Sequence, residues 1–203
     1  MPEFFFQGDG WCRGAARYAS PFCDARAPGS VIDLLLIHNI SLPAGNFDGP
    51  HVADLFTGRL DYNADPSFAS LRGLQVSAHF FVRRDGRVMQ FVSADERAWH
   101  AGESVFQGRA QCNQFSIGIE MEGSDFVAFA PEQYAALAAL TLALQCRYRL
   151  AAVCGHEHVA PGRKSDPGPF FDWQHYRKTW QELGAQNPMS VLTHRELRFP
   201  PTP

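Results

Sequence analysis

The sequence predicts an α/β domain, and three observations carry that prediction. Residues 31–37, Val-Ile-Asp-Leu-Leu-Leu-Ile, form an apolar run of strand length, and residues 113–122 alternate apolar and polar groups around Phe115, Ile117 and Ile119. The segments 77–84 and 87–93 flank Asp85-Gly86, a hairpin signature. From Pro131 onward, Tyr134, Leu137, Ala138, Thr141, Leu144 and Tyr148 recur at helical spacing. Hairpin and crossover connections therefore occur in one chain, with a long amphipathic helix packed on the sheet.

Taken in order, residues 1–30 carry scattered Gly, Pro and Ser without periodicity, and are expected to wrap the surface of the same domain. Residues 31–38 read as a buried strand with His38 where it emerges. Pro43, Gly45, Asn46, Asp48, Gly49 and Pro50 make a long loop, and residues 51–60 have helical character. Asp85-Gly86 suits a type I′ turn. Pro131 is placed as the first residue of the long helix, since its missing N–H costs nothing there. Residues 151–154 form a last short strand that delivers His156. Asp172 caps a final helix whose face is Trp173, Tyr176, Trp180 and Leu183. The domain is expected to span 31–185, and a Pro-rich tail, 186–203, ends the chain.

With 203 residues, 45% hydrophobic and 19% charged, the chain fits one core without repeats or low-complexity tracts. A net charge of −3 and the lack of a basic run with interleaved aromatics argue against nucleic acid as a partner. Phe4, Phe5 and Phe6 have neither a positive n-region before them nor a sustained apolar stretch after them, so a secretory signal is not expected, and no run approaches a membrane span. Five cysteines, odd in number and without a C-x-x-C pair, fit neither a disulfide framework nor a sulfur-rich zinc site. A cytoplasmic setting is consistent with all of this.

The chemistry concentrates in residues 155–168, Gly-His-Glu-His-Val-Ala-Pro-Gly-Arg-Lys-Ser-Asp-Pro-Gly. Pro161 and Gly162 lie among the nine residues between His156 and Asp166, so the loop can fold back and present both side chains to one point. With His38 they could supply two imidazoles and one carboxylate to zinc, leaving the fourth tetrahedral position for water. Taken singly, His38, His79, His100 and His158 read as hydrogen-bonded core residues rather than ligands. Glu120, on the strand face opposite Ile119, is either a solvent-facing carboxylate or a general base beside that water. Lys164 is one of only two lysines against sixteen arginines. A lysine there offers a compact point charge. Trp99 is either a packed turn residue or a wall on which a sugar stacks. Cys154 reads as a small buried apolar residue rather than a nucleophile.

Six blocks in order carry a resemblance: 36–41 (LIHNIS), 76–80 (VSAHF), 83–86 (RRDG), 97–102 (RAWHAG), 116–123 (SIGIEMEG) and 155–168. Over about residues 10 to 180 the chain resembles the amidase type 2 family of N-acetylmuramoyl-L-alanine amidases, in particular its cytosolic members that act on 1,6-anhydro muropeptides. The resemblance implies a single domain with a mixed central β-sheet flanked by helices, like that of peptidoglycan recognition proteins. It implies zinc (Zn2+) held by His38, His156 and Asp166, with Glu120 and Lys164 as the catalytic pair and Asn39 and Trp99 lining the substrate groove. It also implies a small muropeptide as substrate, a role in cell-wall recycling with a link to beta-lactamase induction, and a monomer.

Two positions depart from the family pattern. His158 stands where members usually carry an acidic or amide residue, as a spare ligand or a substrate contact, and Gln75 stands where a basic residue often precedes the second block. Carboxylates of the stem peptide must then be met elsewhere, with Arg72, Arg109 and Arg163 as candidates by type. A binding module that keeps the groove without the chemistry, and a secreted lysin acting on intact wall, are the alternatives; the first has no need of an open-sided ligand set.

Overall fold

The computed structural model describes residues 3–186 and 196–201. Six strands form the main sheet: β1 (Ala16–Arg17), β2 (Leu34–Ile40), β3 (Phe80–Val82), β4 (Val88–Gln90), β5 (Ser116–Glu122) and β6 (Ala152–Gly155). Their spatial order is β6-β2-β5-β3-β4-β1. Strands β6, β2, β5 and β3 run parallel, β4 returns antiparallel to β3, and β1 pairs parallel with β4. The sheet is mixed, as the resemblance implies.

Both faces of the central strands are covered, which is the usual state of parallel strands. On one face Leu35, Ile37, Ile117, Ile119 and Met121 meet two long helices, α2 (Pro131–Arg147) and α4 (Trp173–Gln186), through Leu137, Leu140, Leu144, Tyr176 and Trp180. The Thr141 and Tyr176 hydroxyls share a 2.7 Å hydrogen bond within that contact. On the other face Leu34, Leu36 and Cys154 pack against Cys112, Phe115 and Val159. Farther along it, Phe81 meets Val52, Leu55 and Phe56 of α1 (His51–Phe56).

The start of α2 is fixed by local chemistry. Pro131 occupies the first turn after an extended Ala130. Ala130 N–H donates to Gln133 Oε1 at 3.0 Å. The same buried amide donates to the Val82 and Glu122 carbonyls at 3.2 and 3.1 Å, tying the helix to the carboxyl ends of β3 and β5. At the start of α4, Asp172 Oδ1 accepts from His175 N–H at 2.8 Å, the cap that the sequence predicts.

The hairpin forms, with Val82 paired to Val88, but its turn is not the type I′ expected. Type I′ needs positive φ at both central residues. Here Gly86 alone has it (φ 80°), and Arg83 N–H reaches the Arg87 carbonyl at 2.8 Å, so the loop is one residue longer. A Cβ at Gly86 would lie 2.9 Å from the Glu132 carbonyl, so α2 closes over the turn.

The early residues contribute more than a surface wrap. Besides β1, Phe5–Phe6 pairs with Cys12–Arg13 and Cys23–Asp24 with Arg97–Ala98. Arg26 donates to the Asn113 and Ser116 carbonyls at 2.9 Å each. Of the predicted tail, Arg198 bridges to Ala152 at the β6 edge and Leu197 is buried, while residues 187–195 and 202–203 lie outside the described residues. Among the described residues no helix is long and apolar enough to cross a membrane. All five cysteines are free.

Candidate metal centre and cleft

Strand register assembles the site. Glu120 of β5 sits directly across from His38 of β2. Gly155 of β6 is paired with Ile37 on the other side, so the next residue, His156, arrives beside His38. All three side chains thus meet at the carboxyl ends of parallel strands, where open α/β sheets place ligands. His156 opens a short helix, α3 (His156–Val159). The chain then turns back through Gly162, whose φ of 75° suits glycine. Glu157 N–H donates to the Asp166 carbonyl at 3.0 Å and closes the loop.

This brings Asp166 Oδ2 within 2.9 Å of His38 Nδ1 and 3.1 Å of His156 Nδ1, and the two Nδ1 atoms lie 3.1 Å apart. Among the described residues, these form the group of His, Cys, Asp and Glu side chains that could hold a metal ion. The triangle fits zinc, whose ligands about 2 Å from the ion lie roughly 3.3 Å from one another in a tetrahedron. Two imidazole nitrogens and a carboxylate oxygen that face one point form a donor set suited to a cation. His156 Nε2 lies 3.0 Å from the Ala101 carbonyl oxygen, so its proton sits there and Nδ1 is bare.

Protonation states suit a cation as well. Burial holds His38 below the ordinary imidazole range, although Asp166 pulls the other way. Burial raises Asp166 as well, but the two adjacent imidazoles, His156 and His38, outweigh this and hold its carboxyl below the usual range. The result is a neutral imidazole beside an ionised carboxylate, the forms that bind metals.

Glu120 is only 8% exposed, and its Oε2 has no hydrogen-bond partner. Burial pushes its pKa well up, Asp166 adds to this, and Lys164 opposes it. A buried unpaired carboxyl oxygen is costly, so its place beside the metal group needs a functional reason. Lys164 is exposed and lines a cleft of about 350 Å³ together with Asn39, Ser41, Asp125, Arg163 and Asp166. The largely exposed Phe126 stands at its rim.

The remaining candidates are placed as follows. Asn39 Nδ2 donates to Asp125 Oδ1 at 2.7 Å and to the Pro167 carbonyl at 3.0 Å, so it braces the ligand loop. Arg163 is tied to the Ala101 and Glu103 carbonyls. Trp99 stacks on Phe22 and donates to Asp24, outside the lining of the cleft. Arg72 bonds Asn63 and lies over Tyr62. Arg109 forks onto Asp33 at 3.0 Å by both nitrogens. Asp33 lies five residues before His38 at the opposite end of the strand, about 16 Å away. His158 Nδ1 accepts from Gly155 N–H at 3.0 Å, its ring lies against Trp173, and it is not part of the metal group. Cys154 is buried and its thiol is pushed up to about 12 by burial, so a thiolate nucleophile is excluded.

Asp125, which sequence reasoning missed, and His100, which it read as a hydrogen-bonded core residue, complete the surroundings. Asp125 accepts from Asn39 through one oxygen and from Ser165 Oγ at 2.5 Å through the other, stitching the end of β5 to the ligand loop. His100 Nδ1 lies 3.0 Å from His38 Nε2. The His100 ring lies over Gly118, where an added Cβ would be 2.5 Å from it.

A two-imidazole, one-carboxylate group at strand ends, beside a buried carboxyl and an open cleft, is an arrangement suited to metal-assisted hydrolysis. The chain belongs to the N-acetylmuramoyl-L-alanine amidase family, whose sequence profile its residues 28–169 match. It is 52% identical over 171 residues to the 1,6-anhydro-N-acetylmuramyl-L-alanine amidase AmpD of Citrobacter freundii, covering 83% of this chain and 91% of that protein. A crystal structure of a selenomethionine AmpD derivative superposes with a TM-score of 0.84 at 50% identity, covering 86% of this chain and 99% of the other. The amidase AmiD of Escherichia coli, solved with the substrate anhydro-N-acetylmuramic acid-L-Ala-D-gamma-Glu-L-Lys, aligns with a TM-score of 0.54 at 29% identity, covering 88% and 66%.

Proposed function

We propose that this chain is a zinc-dependent amidase that cleaves the amide between the lactyl carbonyl of (1,6-anhydro-)N-acetylmuramic acid and the L-alanine of its stem peptide, in the cytoplasmic recycling of cell-wall fragments. The observation that carries the reading is the pairing of Glu120, buried with a free carboxyl oxygen, with His38 of the metal group in adjacent register. Similarity to AmpD over most of both chains supports the choice of substrate.

His38, His156 and Asp166 would hold the ion, which when bound supplies Lewis-acid polarisation of the carbonyl and acidifies a water molecule. Glu120 accepts the proton of the attacking water at its free oxygen and passes it to the leaving alanine nitrogen. Burial favours the first step, since a raised carboxyl pKa makes Glu120 a stronger base. Lys164, from the same loop as Asp166, places its ammonium in the cleft where charge grows on the carbonyl oxygen. A module that only binds muropeptides would have no use for an unpaired buried carboxyl, which is what separates Glu120 from a recognition residue.

The test is metal analysis of the purified chain and of His38→Ala, His156→Ala and Asp166→Ala. About one zinc per chain, lost in each variant, is expected of a site with three protein ligands. Full zinc retention in any two of the three refutes the ligand assignment.

A further inference from the structure

The two ligand histidines differ in what holds the nitrogen turned away from the metal group. His156 meets a carbonyl, which can only accept. His38 Nε2 instead meets another imidazole nitrogen, Nδ1 of His100, at 3.0 Å, and such a nitrogen serves as donor or acceptor according to its tautomer. The direction is set farther out. Ser116 Oγ lies 2.7 Å from the Cys112 carbonyl oxygen, so its proton is committed there. The hydroxyl oxygen then has lone pairs to offer His100 Nε2, 3.4 Å away. With its proton on Nε2, His100 has a bare Nδ1, which accepts a hydrogen bond from His38 Nε2–H and so leaves His38 Nδ1 bare toward His156 and Asp166.

We propose that His100 is a positioning residue of the amidase site: the relay from the Cys112 carbonyl through Ser116 and His100 sets the tautomer and orientation in which His38 faces the metal. The fold makes room for this relay on purpose-built ground. At Gly118, between Ser116 and Glu120 on the same strand face, an added Cβ would lie 2.5 Å from His100 Cγ and Nδ1, so the ring occupies the glycine's missing side chain. Behind it His79, 5.6 Å away edge to face, is held by Gly118 N–H at its Nδ1 and by the Glu96 carbonyl at its Nε2. The His100 ring therefore has little freedom to turn.

The inference rests on the zinc reading, and two measurements keep them apart. Zinc affinity is measured by chelator competition for the parent chain, His100→Leu, which removes the acceptor, and His100→Asn, whose Oδ1 replaces Nδ1 as acceptor. Outer partners of metal-binding imidazoles typically contribute 10- to 100-fold in affinity, so a loss of about that size is expected for His100→Leu, with most of it recovered in His100→Asn. Separately, nitrogen-15 NMR of the imidazoles in the unaltered chain, with and without zinc, is expected to show His100 protonated at Nε2 and bare at Nδ1. A His100 protonated at Nδ1 overturns the inference. So does a folded His100→Leu that holds zinc as tightly as the parent, or a His100→Asn as impaired as His100→Leu. A parent chain that takes up no zinc sinks the proposed function, while the tautomer measured in that same chain still decides the relay.

Discussion

Replacing Gly118 by alanine adds one methyl group where the structure has no space for it. The new Cβ would lie 2.5 Å from His100 Cγ and Nδ1 and 2.7 Å from Cδ2. Carbon atoms in contact sit about 3.5–4.0 Å apart, so the ring must retreat by roughly 1 Å or the strand must bend. Retreat carries His100 Nδ1 off His38 Nε2, whose 3.0 Å separation has no such slack. Two effects follow. Overpacking a core typically costs 1–3 kcal/mol, which lowers the melting temperature of a chain this size by about 2–12 °C. Loss of the outer hydrogen bond weakens zinc by about 10-fold or more. Thermal unfolding of the metal-free chain reads the first effect and chelator competition the second. A Gly118→Ala chain with parental stability and parental zinc affinity would refute the packing argument, since no other element relieves the contact.

Glu120→Gln keeps size and zinc but removes the base, so hydrolysis is expected to fall by roughly 10²- to 10⁴-fold, and parental turnover would return Glu120 to a structural role. In the parent, the acid limb of kcat/KM should lie above the ordinary carboxylate range, because burial raises the Glu120 pKa and the base is lost as pH falls through that raised value. An acid limb at an ordinary carboxylate pKa would contradict it. Lys164→Ala should retain zinc and lose about 10²- to 10³-fold in kcat, with Lys164→Arg far from neutral because a planar guanidinium spreads the charge. A rise in KM alone would make Lys164 an anchor for substrate carboxylates instead.

The meeting of His38, His156 and Asp166 was legible in the sequence because its signals are local: His38 ends an apolar strand, and His156 and Asp166 share a loop that Pro161 and Gly162 fold back. The state of Glu120 was open for a different reason. Alternation puts it opposite Ile119, but whether that face meets solvent depends on what covers the sheet. All seven residues of β5 are buried: on the second face Ser116 bonds the Cys112 carbonyl, His100 lies over Gly118, and Glu122 meets Asp48 and Arg83. His100 was hidden because a histidine between Trp99 and Ala101-Gly102 reads as turn packing. Only the pairing of β5 with β2 brings Gly118, and the ring lying over it, beside the nitrogen of His38. Asp125 follows the same rule, for its partners Asn39 and Ser165 are 86 and 40 residues away in sequence. The turn at Asp85-Gly86 went astray locally, because α2 packs on Gly86 and positive φ is needed there alone.

The most direct test is product analysis by mass spectrometry after the zinc-loaded chain is incubated with a 1,6-anhydromuropeptide and, in parallel, with intact cell wall. Free stem peptide beginning at L-alanine, together with the peptide-free anhydro sugar, is the expected result. Release from the small fragment should be much faster than from wall, should stop on chelation and should return when zinc is restored. An intact muropeptide, or a cut within the peptide or the sugar rather than at the lactyl amide, would contradict the assignment of this site as a muramoyl-alanine amidase.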